Sequence, residues 1–171
     1  MTDSVEDFYL STAERTFAAA RRVSGNLHVA RDATHDAYVV MLDRWAERMN
    51  CSLADNQRYV IGIAVKKVAD WYRAHGRFVA LPEDDDPPAV DHSYDDVLDQ
   101  LSLCKEVRRF LEDRPVVSRT VGILYFLEDF PQAEIAEIIG IDASTVRTHV
   151  YRLRKQLRPM VERISKLDER R

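Results

Sequence analysis

Residues 130–158 combine a short apolar helix pattern, a glycine and a longer basic helix pattern. Ile135 and Ile139 recur at helical spacing, and this spacing predicts a short first helix with one buried side. Gly140 follows that helix, and a glycine takes without steric cost the positive φ that ends a helix and reverses the chain. The basic helix begins a few residues later. The segment therefore predicts a helix-turn-helix.

The second helix of this segment has an apolar side and a basic side. Val146, Val150 and Leu153 recur at spacings of three and four residues, which predicts the side that faces the core. Asp142 is placed to cap the helix, and Ser144 is an alternative cap two residues later. The residues expected on the solvent side are Arg147, Thr148, Tyr151, Arg152, Lys155 and Arg158.

A helix with this basic side has the donors needed to enter the major groove of DNA. An arginine pairs with guanine through two hydrogen bonds, which discriminates against a wrong base by about 1–3 kcal/mol. Ser144 and Thr145, at the helix start, can donate to a phosphate beside the main-chain N–H groups. A basic amphipathic helix alone is equally typical of a solvated surface. The preceding helix and glycine favour DNA binding.

The charges are distributed unevenly along the chain. The net charge is −4 over 171 residues, yet residues 1–80 carry +1, residues 81–101 carry −8 and residues 102–171 carry +3. The acidic stretch contains prolines and has neither lysine nor arginine, which predicts an extended, flexible linker. The basic character lies in the last helix, so the net charge does not argue against DNA binding.

Helical patterns lie on both sides of this linker, and strand signals are absent from both. The predicted helices are Val5–Val23, His28–Met49, Gln57–His75, Tyr94–Leu111 and Val117–Glu128, followed by the two helices of the helix-turn-helix. We therefore expect an all-α protein of two small helical domains. These are residues 1–78 and residues 95–171, the latter containing the helix-turn-helix, joined by an acidic flexible linker at residues 79–94.

The composition excludes several classes of protein. No apolar run approaches the roughly 20 residues that span a bilayer, and the acidic N-terminus has no secretory core, so we expect a cytoplasmic chain without membrane insertion. Cys51 and Cys104 are too few and too isolated for a disulfide framework or a zinc site. No phosphate-binding loop, nucleophile motif or zinc spacing is present. We expect no enzymatic activity, no metal and no cofactor.

Three segments together resemble bacterial sigma factors of the extracytoplasmic-function type: Pro131–Leu157, Asp32–Trp45 and Ile63–Arg73. The first resembles the promoter-reading domain 4, and the others resemble the second and third helices of domain 2. A helix-turn-helix alone is shared with response regulators, whereas two matching halves in this order are much more specific. The resemblance implies a DNA-binding sigma factor that binds core RNA polymerase and directs promoter-specific transcription initiation.

The resemblance also implies a division of labour between the domains. Domain 2 clamps the coiled coil of the polymerase β′ subunit, while its third helix and the Asn50–Asn56 loop open and read the −10 element. Domain 4 binds the polymerase β flap and reads the −35 element. An anti-sigma protein, which the family often uses as an inhibitor, is a further partner that the resemblance allows.

Three sets of site residues follow from this resemblance and from the exposed side of the last helix. The −35 set is Ser144, Thr145, Arg147, Thr148, His149, Tyr151, Arg152 and Lys155. The −10 set is Asn56, Lys66, Lys67, Asp70, Trp71 and Arg73. The set for core polymerase is Asp32, His35, Asp36, Val39, Val40 and Asp43.

Opening a duplex requires trapping an unstacked base, which favours aromatic walls with cations nearby. Lys66, Lys67 and Trp71 offer that combination, although Trp71 is equally compatible with a place in the core. After helix three only Arg73 and Arg77 stand where the family carries a dense arginine run. The −10 sequence therefore does not transfer from the family.

Other single positions also depart from the family pattern. Lys66 stands where asparagine is usual, His35 where glutamine is common, and His149 where arginine is common. A helix-turn-helix regulator that acts without polymerase is the alternative function. It would need a dimer interface and a receiver or ligand-binding domain, and residues 1–78 show no pattern typical of either.

Overall fold

The structure, a computed structural model, describes residues 4–78 and 101–168. Within these two ranges the chain forms α-helices, one π-helical turn and short connections, and no β-strand. The prediction of an all-α fold is confirmed. The chain divides into two compact units, Met1–Val79 and Ala80–Arg171. The acidic linker at residues 79–94 and the start of the predicted helix at Tyr94 lie outside the described residues.

The first unit is a bundle of three helices around an apolar core. Phe8, Met41 and Ile61 are fully buried, one from each helix, and every helix packs against the other two. The Phe8 ring lies 5.6 Å from the Trp45 ring, between centroids. None of the described helices is long and apolar enough to cross a membrane. The helices are α1 (Val5–Ser24), α2 (Leu27–Arg48) and α3 (Leu53–Ala74).

Side chains that accept hydrogen bonds from main-chain N–H groups fix where these helices begin. Ser4 accepts from Asp7, Asn26 from His28 and Ser52 from Asp55, at 3.1, 2.9 and 3.0 Å.

The cap at Ser52 starts α3 four residues before the predicted Gln57. The predicted loop Asn50–Asn56 is therefore wrong, because its last four residues form the first turn of α3. Apolar periodicity missed a start that the Ser52-x-x-Asp55 spacing marks.

A buried polar network crosses the core of this unit. The Tyr38 hydroxyl lies 2.7 Å from Thr12 Oγ1 and 3.0 Å from Thr16 Oγ1, so it joins α2 to α1. Gln57 Nε2 donates to Thr16 Oγ1 at 2.8 Å and extends the network to α3. Burial raises the pKa of the Tyr38 hydroxyl. Hydrogen bonds are directional, so this network fixes the register of the three helices more sharply than apolar packing can.

The second unit is built around a core shared by four helices. Leu111, Leu124, Ile135 and Val150 are buried, and they come from different elements. One α-helix was predicted over Val117–Glu128, but the structure ends the α-helix at Gly122 and continues as a π-helical turn. The elements are α4 (Leu101–Glu112), α5 (Val116–Gly122), the π turn (Ile123–Leu127), α6 (Gln132–Ile139) and α7 (Ala143–Asp168).

Gly122 lies where side chains of α4 and α7 approach the end of α5. A Cβ at this position would clash with the Leu111 side chain and lie 3.1 Å from Leu153 Cδ1. The absence of a side chain at Gly122 therefore lets α4 and α7 close on the end of α5. This contact supports the C-terminal basic helix from behind.

Candidate nucleic-acid interface

The turn between α6 and α7 has the predicted helix-turn-helix form. Gly140 has φ of 67°, and its N–H donates to the Ala136 carbonyl at 2.9 Å. Helix α7 begins directly after Asp142, and the Val146 N–H donates to the Asp142 carbonyl at 3.1 Å. The positive φ predicted at Gly140 is confirmed. The turn holds α6 against the first turns of α7.

One flank of α7 offers side chains to solvent. Ser144, Arg147 and Lys155 are exposed, and Tyr151 and Arg152 are half-buried. Arg147, Tyr151 and Lys155 follow one another at intervals of four residues, so they lie along one side of the helix. This exposed flank carries hydrogen-bond donors and positive charge, the chemistry that suits base edges and phosphates.

Three residues of the predicted −35 set are buried instead. Thr145, Thr148 and His149 are 8%, 5% and 1% exposed. The predicted solvent position of Thr148 is wrong, and burial is incompatible with a direct DNA contact by His149 in this conformation. The prediction from the sequence placed only one side of α7, the apolar side, against the core. Both α5 and α6 pack against α7, and together they cover a wider part of its first turns.

His149 is bonded to α5. Its Nδ1 and the Ser118 Oγ share a hydrogen bond of 3.0 Å, and both side chains are buried. Burial and the nearby positive charge of Arg152 lower the pKa of His149 to about 4. The imidazole is therefore neutral near pH 7. Ser118 was not predicted, because it lies 31 residues before His149 and no local spacing links the two.

Arg154 is also turned toward the body of the second unit. One of its guanidinium nitrogens, Nη2, donates to the Tyr125 hydroxyl, and its guanidinium carbon lies 5.1 Å from the centre of that ring. Tyr125 belongs to the π turn. Arg154 thus ties α7 to this turn, while Arg147 points into solvent.

In the first unit, the cations near the end of α3 surround one carboxylate. Asp70 lies between Lys66, at 3.2 Å, and Arg73, at 3.0 Å. Lys67 is exposed beside them. These four residues of the predicted −10 set are therefore close together. Asp70 orders two cations at the surface and lowers the net charge that they present.

Trp71 lies at the surface of this cluster rather than in the core. Its side chain is half-buried, and its ring stacks on that of His75 with 3.9 Å between centroids and 24° between planes. His75 Nδ1 donates to the Trp71 carbonyl at 2.7 Å, which holds the second ring in place. His75 is exposed and was not among the predicted site residues. The two rings form an aromatic surface beside Lys66, Lys67 and Arg73.

Asn56 does not join this cluster. It is 1% exposed and bonds to Arg48 at the other end of α3. Fifteen helical residues separate it from Trp71, which is about 22 Å at a rise of about 1.5 Å per residue. Its role as a −10 contact stays a prediction. As with His149, the side chain is buried in this conformation and does not reach the surface where a nucleic acid would lie.

The residues predicted to bind polymerase share one side of α2. Asp32, His35, Asp36, Val39 and Asp43 are all exposed, and Val40 is half-buried at the margin. Val39 is 46% exposed, and Leu42, which was not predicted, is 58% exposed. Helical spacing from Val39 could have identified Leu42. The side combines carboxylates with two exposed apolar side chains, a surface suited to a partner helix with cations beside an apolar seam.

Part of the second unit matches a known protein family. Residues 115–157 match the family described as Sigma-70, region 4. The match begins at the residue before α5 and ends within α7, so it contains the helix-turn-helix and the bonded pair of Ser118 and His149. The chain is also 29% identical over 149 residues to the ECF RNA polymerase sigma factor SigE of Mycolicibacterium smegmatis.

These matches show that the chain is similar to sigma factors of the extracytoplasmic-function type. The alignment with the mycobacterial sigma factor takes in 85% of this chain, so it extends well into the first unit, and the chain spans 57% of the length of that relative. Within residues 4–78 and 101–168, no group of three or more His, Cys, Asp or Glu is arranged to hold a metal ion.

Proposed function

We propose that this chain binds core RNA polymerase and directs it to promoters. The observation that carries this proposal is the exposed basic flank of α7, presented by the α6–Gly140–α7 turn inside the segment that matches sigma-70 region 4. The relative from Mycolicibacterium smegmatis is named an RNA polymerase sigma factor, which supports the same function. Action on core polymerase would place the chain in the bacterial cytoplasm.

The −35 element would be bound by α7 lying in the major groove. Arg147 is exposed on the flank that faces away from the core and is the best placed residue for a paired contact with guanine. Lys155, two turns later, would neutralise a phosphate. Ser144, exposed at the helix start, would donate to a phosphate next to the free N–H groups there.

The −10 region would meet the end of α3. Lys67 and its neighbours Lys66 and Arg73 supply positive charge for the phosphates. The half-buried ring of Trp71 and the exposed ring of His75 supply a surface on which an unpaired base can stack. Base stacking on such a ring contributes about 1–3 kcal/mol per base. The proposal assigns strand separation to this cluster.

Core polymerase would be held by the acidic side of α2. We assign the β′ coiled coil to the exposed side that carries Asp32, Asp36 and Asp43, with Val39 and Leu42 supplying apolar contact. The second unit, with its region 4 match, is assigned to the β flap. Charge complementarity at such a surface sets orientation and association rate more than affinity.

Run-off transcription tests the function directly. Core polymerase is supplied with or without the full chain on a library of promoters, and chain-dependent transcripts are expected. If the chain binds polymerase and no promoter in the library is transcribed, the initiation step of the proposal fails for those promoters. If the chain does not bind polymerase at all, the alternative of a stand-alone helix-turn-helix regulator replaces the proposal.

Two matched pairs of variants assign the surfaces. Asp36→Arg on α2 should abolish polymerase binding, whereas Glu14→Arg, at an exposed acid of α1, should not. Arg147→Ala should reduce promoter-dependent transcription, whereas Arg163→Ala, on the same helix but beyond the region 4 match, should leave it unchanged. Equal effects within either pair would contradict the assignment of that surface.

A further inference from the structure

The buried pair of His149 and Ser118 has no role in the proposed contacts, although it lies in the middle of the helix that makes them. Its hydrogen bond of 3.0 Å joins α7 to α5. Arg147 lies two residues before His149, and Arg152 lies three residues after it. The geometry points to His149 as a positioning residue for promoter recognition, which sets the rotation of α7 through Ser118. This inference rests on the proposed readout of the −35 element by α7.

Apolar packing alone leaves the rotation of α7 weakly defined. Val146, Val150 and Leu153 hold the helix against the core, but burial of apolar surface is not directional. A hydrogen bond weakens steeply as its angle departs from linearity. The bond to Ser118 is therefore a directional contact through which α5 can specify the rotation of α7 as well as its distance from the core.

Small rotations matter for base recognition. Turning a helix by about 10° moves an atom about 6 Å from its axis by about 1 Å. A binding group must be held within about 0.5 Å of its productive position to make its contacts. A displacement of about 1 Å would therefore weaken the paired hydrogen bonds of Arg147 with a guanine edge. Loss of the bond should therefore reduce discrimination between bases before it reduces general attraction to DNA.

The chemistry of position 149 suits this role. The imidazole is neutral near pH 7, because burial and the charge of Arg152 lower its pKa to about 4. A cationic side chain held in the same buried place would repel Arg152 and would need a counter-charge. A neutral ring that bonds to a hydroxyl joins the two helices without disturbing the arginines on the exposed flank.

Helix α5 offers a matched control. Thr120 is buried like Ser118, but its hydroxyl donates to the Val116 carbonyl of its own helix at 2.7 Å. Thr120→Val removes a buried hydroxyl from α5 whose hydrogen bond stays within that helix. Ser118→Ala removes the hydroxyl that reaches His149. Comparison of the two separates positioning of α7 from general loss of stability in α5.

The test measures base discrimination in the holoenzyme. Full-length variants are combined with core polymerase, and run-off transcription is compared on a responsive promoter and on single-base changes in its −35 element. The temperature is one at which circular dichroism shows every variant folded. Ser118→Ala and His149→Phe should each lower the discrimination ratio at least about threefold, which is part of the roughly 5–150-fold discrimination that one paired base contact provides.

Rescue and coupling give further readouts. His149→Asn keeps a polar atom near the position of Nδ1 and should retain most of the discrimination, as should Thr120→Val. The double variant Ser118→Ala/His149→Phe should lose no more than either single variant, because one bond has been removed in all three.

A Ser118→Ala protein that is folded and keeps its discrimination within about twofold of the wild type would overturn the inference, since one paired base contact is worth more than that. So would an equal loss in Thr120→Val. If the wild-type chain supports no transcription, the proposed function fails instead. The reaction with the wild-type chain distinguishes this outcome from a failure of the inference. If Ser118→Ala does not fold, His149→Phe against His149→Asn decides: equal discrimination in these two variants overturns the inference.

Discussion

Arg48 and Asn56 bond to each other twice across the connection between α2 and α3. Arg48 Nε donates to Asn56 Oδ1 at 3.0 Å, and Asn56 Nδ2 donates to the Arg48 carbonyl at 3.0 Å. The Arg48 guanidinium also lies over the Tyr59 ring, 3.8 Å from its centre. The pair therefore joins the last turn of α2 to the first turn of α3 and fixes the short connection between them.

Asn56→Ala should destabilise the first unit by about 1–3 kcal/mol, because a part-buried pair of hydrogen bonds is lost and Arg48 is left without its amide partner. Urea unfolding of the full chain, followed by tryptophan fluorescence, reports on this unit, since Trp45 and Trp71 both belong to it. Asn50→Ala, at an exposed position of the same connection, is the control. An unchanged urea midpoint in Asn56→Ala would show that the pair contributes nothing to folding.

Tyr38→Phe should destabilise the same unit by about 1 kcal/mol, the net value of a typical buried hydrogen bond. The cost stays moderate because Thr12 and Thr16 keep other partners: their hydroxyls also donate to the carbonyls of Phe8 and Thr12. Tyr9→Phe is the control, since Tyr9 is 48% exposed. Equal urea midpoints for the two variants would contradict a structural role for the Tyr38 hydroxyl.

The helix-turn-helix could be predicted from the sequence because its signals are local. The spacing of Ile135 and Ile139, the glycine at position 140 and the cap position Asp142 all lie within eight residues of one another. The burial of His149 could not be predicted, because Ser118 and the covering helices come from distant parts of the chain. A polar residue next to a buried stripe has the same local pattern whether it faces solvent or a partner.

Asn56 shows the same limit for the first unit. Its place at the end of a predicted loop suggested exposure. Helix α3 begins directly after the cap at Ser52, however, so Asn56 lies in its first turn. Its partner Arg48 lies eight residues away on another helix. The residue set on α2, by contrast, follows from the family resemblance, and its helical spacing is enough to place these residues on one side of the helix.

The pKa of His149 predicts a loss of stability on acidification. The unfolded chain binds a proton at the ordinary pKa of about 6.5, whereas the folded chain binds it only near pH 4. Stability is therefore unaffected by this group above pH 6.5, falls as the pH drops from 6.5 to about 4, and is then constant. The total loss is about 3 kcal/mol at about 1.36 kcal/mol per pKa unit.

Two measurements check this prediction. The His149 ring should titrate near pH 4 when followed by NMR in the full chain. The stability difference between the wild type and His149→Asn should also shrink between pH 7 and pH 5, because only the wild type carries the buried imidazole. A ring that titrates near 6.5 would contradict the predicted effect of burial.

Gly122→Ala should destabilise the second unit, because the added methyl group would clash with Leu111 and press on Leu153. Overpacking costs about 1–3 kcal/mol, and the better helix propensity of alanine returns at most about 1 kcal/mol. Thermal unfolding followed by circular dichroism measures the net loss. The control is the same change in a Leu111→Ala background, where the clash with Leu111 is gone, only the tight contact with Leu153 remains and the loss should be much smaller. A loss of unchanged size in that background would exclude the contact with Leu111 as its cause.

Arg147→Ala and Arg154→Ala should affect different properties: the first should lower transcription, and the second should lower thermal stability. Arg147 is exposed, so its removal should leave the thermal midpoint unchanged and lower transcription from a matched promoter by about 5–150-fold, which corresponds to about 1–3 kcal/mol. Arg154 bonds to Tyr125, so its removal should lower the thermal midpoint while base discrimination stays intact at a temperature where the chain is folded. Transcription and circular dichroism on the same preparations separate the two effects. A folded Arg154→Ala chain with altered base preference would instead place Arg154 in the DNA contact, and its bond to Tyr125 would have to break when DNA binds.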